Sequence, residues 1–150
     1  MIPKPNNSPR LIYDARAANY FLSQLNYILP NLQDPLIRGF KFVAKVDLTH
    51  SFMHLPIDEK FQSVCGFKGP DGTLYRWIKL VWGSSCAPFI MQRFSEIFTV
   101  YVNKHTNSLI IVYADDFLIL ANEYHDCLTA TSLLVKTLEK AGVEINADKS

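Results

Sequence analysis

The 150-residue sequence predicts an α+β fold, an antiparallel sheet with helices packed on one face, and three observations carry that prediction. Two apolar runs of strand-like composition flank the carboxylate pair Asp115-Asp116. Two further strand-like runs are joined by Gly69-Pro70-Asp71-Gly72, and Asp-Gly readily adopts the positive φ of a tight hairpin turn. Residues 89–102 and 124–141 instead repeat apolar side chains at helical spacing.

Taken in order, Met1 to Pro9 is polar and carries Pro3, Pro5 and Pro9, which favours extended backbone. Arg10 to Asp14 reads as a strand, followed by a polar step from Arg16 to Asn19. Phe21, Leu22, Leu25, Ile28 and Leu29, interrupted by Pro30 and Pro35, predict short helical turns. Phe40 to Leu48 alternates apolar and polar residues at its start and carries Asp47 near its end, so it is a strand. An apolar turn from Phe52 to Ile57 leads into Asp58-Glu59-Lys60. The Asp-Gly loop joins strands expected at 63–68 and 74–80. Gly83-Ser84-Ser85 then offers a helix cap before Ala87-Pro88.

The first long helix presents Phe89, Ile90, Phe94, Ile97, Phe98 and Tyr101, an aromatic stripe that reads as core. The second runs through Leu128, Thr131, Leu134, Val135, Leu138 and Ala141, with Gly142 as its stop. Val143-Glu144-Ile145 begins a strand. One domain accommodates this length, and neither an internal repeat nor a linker interrupts it.

Composition narrows the class. At 49% apolar residues, with ten Phe and seven Tyr, the chain can bury a core and is not disordered. Fifteen basic against fourteen acidic residues leave a net charge of +1, so any nucleic-acid contact must use local patches. Cys65, Cys86 and Cys127 lack metal-ligand spacing and read as reduced thiols. No apolar run approaches the ~18 residues of a membrane span, and no basic-then-apolar leader opens the chain. A cytoplasmic or nuclear location is therefore expected.

Asp115 and Asp116 must lie where the chain leaves the core, because a buried strand does not tolerate bare charge. That places them at the tip of a tight hairpin within residues 108–120. Adjacent carboxylates are hard oxygen ligands suited to Mg²⁺ and repel one another without a cation. If the strand ending near Asp47 is a neighbour, three carboxylates converge. The plain alternative is an ordinary Asp-containing turn.

These residues match a family. Tyr113-Ala114-Asp115-Asp116 resembles the YxDD box of reverse transcriptases, of the retrovirus and LTR-retrotransposon type. Lys45 to Phe52 resembles the strand and turn carrying the family's first catalytic aspartate, and Leu55-Pro56-Ile57 follows it. Arg10 to Asn19 resembles the fingers motif R-x-x-x-D-x-R-x-x-N. Trp82-Gly83-Ser84-Ser85-Cys86-Ala87-Pro88-Phe89 is similar to the loop facing template and nucleotide. Gly142 to Lys149 looks like the segment before the primer grip. Together these motifs span nearly the whole chain and imply fingers and palm, with thumb, connection and RNase H absent.

The resemblance implies nucleotidyl transfer from a dNTP to a primer 3′-OH, DNA or RNA, on an RNA or DNA template. Two Mg²⁺, or Mn²⁺ in their place, would sit about 3.5–4 Å apart. Asp47 and Asp115 are the implied bridging ligands, with Asp116 on the primer-side metal and the Leu48 carbonyl on the nucleotide side. Arg10 and Lys4 are the implied triphosphate contacts. Phe52 is the implied gate against a ribose 2′-OH. The resemblance also assigns Trp82, Gly83 and Lys149 to the nucleotide site, with Lys149 implied as acid to pyrophosphate. Tyr113, Ser84 and Ser85 are implied to face primer and template, and Arg16 to brace the fingers. Trp82 departs from the Gln of many retroviral enzymes.

Two alternatives compete with a reverse transcriptase. An RNA-dependent RNA polymerase typically carries Gly before the Asp pair, where this chain has Ala114. A silent RNA-binding scaffold would have no use for clustered carboxylates.

Overall fold

A computed structural model describes residues 2–3, 9–10, 13–22, 25, 30 and 39–150. Lys4 and the helical turn expected through Ile28 and Leu29 fall outside these residues, and Arg10 is described in its backbone alone. Strands β1 (Ile2–Pro3) and β2 (Pro9–Arg10) pair antiparallel, with Ile2 opposite Arg10. Tyr13 to Ala15, expected within or just beyond the first strand, are irregular, and the polar step that follows is a short helix, α1 (Arg16–Tyr20).

The central sheet is built from β3 (Phe42–Asp47), β6 (Leu109–Tyr113) and β7 (Asp116–Ala121). Its order is β3-β7-β6, antiparallel throughout, with the Asp-bearing strand β7 in the middle. Because side chains alternate across a strand, register decides which face each residue takes. Val46 lies opposite Phe117, Ala44 opposite Ile119, and Ile110 opposite Ile119 on the other flank; these point into the core. Asp47 opposite Asp116, and Tyr113 opposite Asp116, project from the other face.

Two helices, α3 (Ala87–His105) and α4 (Tyr124–Lys140), cover the core face. The facing of α3 differs from the aromatic stripe expected of it. Ala87, Met91, Gln92, Ser95, Phe98, Thr99 and Val102 are buried, whereas Ile97 is 65% exposed and Tyr101 is 44% exposed. Small and polar residues let the helix approach the sheet closely; Thr99 Oγ1 donates to Glu96 O at 2.9 Å, whereas the Ser95 hydroxyl is buried without a partner. On α4 the buried face is Cys127, Ala130, Leu134 and Leu138, so Leu128 is exposed. Asn103 ties α3 to the start of β6, accepting from Ile110 N at 2.7 Å and donating to Ile110 O at 3.1 Å.

Between β3 and α3 the chain forms a 3-10 turn (Ser51–His54), then α2 (Glu59–Val64) and a hairpin of β4 (Gly66–Lys68) and β5 (Leu74–Arg76). The expected strand from Ser63 is thus helical for its first two residues. Asp58 caps that helix, accepting from Lys60 N at 2.8 Å, and Glu59 lies in its first turn; both favour a helix start here. The Asp-Gly loop closes as expected, with Gly72 at φ +84° and Gly69 N donating to Thr73 O at 2.8 Å. Cys86, not a serine, is the N-terminal flanking residue of α3; Ser84 Oγ turns inward to Val81 O at 2.9 Å. Gly142, at φ +73°, ends α4. Residues 143–150 lie along the edge of β3 through one bridge, Leu48 to Ile145, and an Asn146 N to Asp47 O bond of 2.8 Å, rather than as a strand. The three cysteines are free and buried. Among the described residues no helix is long and apolar enough to cross a membrane.

Phe117 is fully buried at the centre of this core. Phe117→Ala should cost about 3–5 kcal/mol in urea unfolding, and Ile97→Ala no more than about 0.5 kcal/mol. Equal losses would mean that α3 packs by its aromatic stripe after all.

Candidate active site

The turn that carries the acids is two residues long, Ala114-Asp115, between Tyr113 and Asp116. Ala114 sits at φ 56°, in the left-handed region that costs a non-glycine residue roughly 1 kcal/mol. A buried side chain holds it there. Gln92 Oε1 accepts from Ala114 N at 2.7 Å, while Gln92 Nε2 donates to Val112 O at 3.1 Å and to Glu96 Oε1 at 3.1 Å. Sequence reasoning missed Gln92. The available signal was a lone amide inside an apolar helical repeat, a buried group that must find partners.

Across β3 and β7, Asp47 and Asp116 are direct neighbours. Lys45, two residues before Asp47 and on the same face, places Nζ 2.9 Å from Asp116 Oδ1 and 3.8 Å from Asp47 Oδ1. On the other side, Lys149 Nζ lies 3.9 Å from Asp47 Oδ2. Asp116 Oδ1 is shielded from solvent and lies against the Lys45 ammonium, which this carboxylate holds above its ordinary pKa. Burial raises the Asp47 carboxyl above its ordinary range, and the Asp116 carboxylate raises it further, against the opposing pull of Lys149 and Lys45. Ionising Asp47 therefore costs stability in the metal-free chain, a cost that sets in as pH rises through the carboxylate range.

Asp115 turns elsewhere: its Oδ2 accepts from Ser51 Oγ at 2.8 Å. That bond links the hairpin tip to the 3-10 turn after β3, which His50 enters at φ 50°. Among the described residues, no three Asp, Glu, His or Cys side chains converge to hold a metal ion by themselves.

A cleft of about 430 Å³ opens beside these acids. Of the residues singled out from the sequence, Asp47, Leu48, Phe52, Trp82, Asp115 and Lys149 line it. Asp116 and Tyr113 stand next to it on the open sheet face, with Tyr113 43% exposed. Gly83 takes φ +94°, and a Cβ there would lie 3.5 Å from both Ala15 Cβ and Tyr13 O. Ser84 is buried and its hydroxyl is engaged internally, so any contact with nucleic acid would come from backbone at this position. The Ser85 hydroxyl is buried without a partner.

Asn19, the last residue of the Arg10–Asn19 motif, fastens this loop. Its Nδ2 donates to Gly83 O at 2.9 Å and its Oδ1 accepts from Ser85 N at 2.8 Å. Asn19, rather than Arg16, is the brace. Arg16 pairs with Asp14 two residues away, Nη2 to Oδ2 at 2.6 Å, and holds that carboxyl down to about 2. Trp82 joins an aromatic cluster: it lies 5.5 Å from Trp77, which lies 5.5 Å from Phe67 and 6.2 Å from Tyr13.

Residues 2–150 match the family model described as reverse transcriptase (RNA-dependent DNA polymerase). The chain belongs to the reverse transcriptase family. Among curated relatives of this reverse transcriptase domain, the Gag-Pro-Pol polyprotein of human T-cell leukemia virus 3 (strain 2026ND) is 30% identical over 99% of the chain and 11% of the polyprotein. The Pol polyprotein from transposon opus of Drosophila melanogaster is 26% identical over 99% of the chain and 15% of its own length. The domain thus spans about a tenth of the viral polyprotein. A solved foamy viral protease-reverse transcriptase in complex with double-stranded DNA shares the fold, with TM-score 0.82 at 22% identity over 99% of this chain and 25% of that one.

The reverse transcriptase hairpin depends on Gln92. Gln92→Leu, close in size but without the amide, should destabilise the domain by about 1–3 kcal/mol by leaving Ala114 N and Val112 O unpaired. Hydrogen exchange should show the Ala114 amide losing protection while the middle of β6 keeps it.

Proposed function

We propose that this domain is the catalytic core of an RNA-directed DNA polymerase, adding dNTPs to a primer 3′-OH on an RNA or DNA template. The observation that carries the reading is the register of β3 on β7, which sets Asp47 beside Asp116 at the cleft where Asp115 also lies. The fingers and palm assignment, with thumb, connection and RNase H contributed by other parts of a polyprotein, belongs to the same proposal.

The residues suit divalent ions. Asp116 Oδ1 is a carboxylate oxygen shielded from solvent, and the ionisation of Asp47 is opposed first by burial and then by the neighbouring Asp116. Mg²⁺ is commonly held by one or two carboxylates with waters and substrate phosphates, so a site without a three-ligand protein cage is the ordinary arrangement. Asp47, Asp115, Asp116 and the Leu48 carbonyl are the ligands proposed for Mg²⁺, or for Mn²⁺ in its place. Bound there, two such ions supply charge stabilisation for the attacking and leaving oxygens of an in-line displacement.

The chain's own residues do the rest. Phe52 lines the cleft where a sugar would rest, and its ring would crowd a 2′-OH. Gly83 allows backbone to approach the nucleotide, while Asn19 fixes that loop. Trp82 offers a ring to the base from the end of its aromatic cluster. Lys149, at the cleft wall, is placed to neutralise phosphate charge, and Arg10 and Lys4 are the proposed triphosphate contacts. Tyr113, on the open sheet face, and the backbone at Ser84 and Ser85 are proposed to meet primer and template.

Mg²⁺-dependent incorporation of dNTP on a primed RNA template tests the reading. Asp115→Asn should reduce it by at least about a hundredfold without loss of folding. A rate equal to wild type would remove Asp115 from the site. Phe52→Ala should leave dNTP incorporation measurable and raise NTP incorporation about ten- to a hundredfold, read as the ratio of kcat/KM values. An unchanged ratio would return Phe52 to plain packing.

A further inference from the structure

We propose that Lys45 is a positioning residue, an internal counter-cation that holds Asp47 and Asp116 together while the site is free of metal and yields Asp116 when a divalent ion binds. The inference rests on the metal site proposed above and adds a role for a residue outside it.

The geometry begins with a cost. Two carboxylates directly opposite on adjacent strands repel, and the pairing of Asp47 with Asp116 is fixed by a register the core cannot change without turning itself out. Something must neutralise them in the metal-free chain. Strand periodicity puts Lys45 on their face, and its Nζ reaches both, at 2.9 Å and 3.8 Å. With Lys149 on the far side of Asp47, two ammonium groups meet the two paired carboxylates, and Asp115 lies at the same cleft as a third acid.

A divalent ion would bring two further positive charges to these acids, and Lys45 is the cation in its way. Its ammonium rests against Asp116 Oδ1, an oxygen shielded from solvent. An ammonium on a four-carbon stem is a point charge that can swing away; an arginine fork, paired through two bonds, would not leave so readily. The Lys45 side chain is 46% exposed, so solvent is open to receive it. An ion pair of this exposure adds little to stability on its own. Its consequence is for metal affinity: Lys45 and a divalent ion compete for one oxygen.

The test is a Mn²⁺ titration followed by the electron paramagnetic resonance of free Mn²⁺, on the wild-type chain, Lys45→Gln and Lys45→Arg. Lys45→Gln should bind Mn²⁺ about three- to tenfold more tightly, because its competitor is gone. Lys45→Arg should bind as wild type or more weakly. In EDTA, Lys45→Gln should lower the thermal midpoint, and the loss should disappear in an Asp116→Asn background, where the repulsion is already relieved. A purely structural lysine would lower the midpoint and leave Mn²⁺ affinity unchanged, which overturns the proposal. Equal tightening by Gln and Arg overturns it too. If wild type takes up no Mn²⁺, the proposed metal site fails and the exchange fails with it, and the EDTA comparison still reads the Lys45–Asp116 coupling by itself.

Discussion

The pairing of β3 with β7 places Asp47 beside Asp116, and most of the molecule can be read as what keeps that register. Side chains alternate across a sheet, so a slip of one residue would send Val46, Phe117 and Ile119 to solvent and the two acids into the core. The hydrophobic effect thereby enforces an arrangement that electrostatics opposes. Burying Phe117, Ile119 and Val46 under α3 and α4 is worth several kcal/mol, more than the repulsion of a partly solvated carboxylate pair. The acids stay together because their strands cannot move apart.

A second layer of constraints aims the hairpin tip. Ala114 lies in a conformation unfavourable for its residue type, and the amide of Gln92 holds it from beneath. Ser51 draws Asp115 toward the turn after β3, and Asn19 fastens the Gly83 loop across the cleft. Gln92 and Asn19 each donate and accept through their amides, and Ser51 donates through its hydroxyl. None contributes much apolar burial. What they supply is position, which a site that must hold charged substrate within fractions of an ångström requires.

The elements whose side chains alternate or repeat regularly were legible in advance. The hairpin of β6 and β7, the strand ending at Asp47, the Asp-Gly hairpin and both long helices follow from periodicity and turn chemistry. The facing of α3 was not legible, because its buried side is small and polar while Ile97 and Tyr101 point outward. Hydrophobicity ranks residues by type, whereas close helix–sheet approach ranks them by size. Residues 63–64 were likewise read as strand, since the Asp58 cap that makes them helical is a local hydrogen bond and not an apolar pattern.

The sequence by itself determined the chemistry on offer: two acids at a tight turn, a third at a strand end, and motifs whose order marks the reverse transcriptase family. Residue type and spacing suffice for that. Only the tertiary structure decided which acids are neighbours, that Lys45 lies between them, and that Gln92 and Asn19 hold the surrounding loops. These are contacts between segments 20 to 71 positions apart, such as Gln92 to Val112 and Lys45 to Asp116. They exist because a shared core brings those segments together, and no local pattern records a partner that distant.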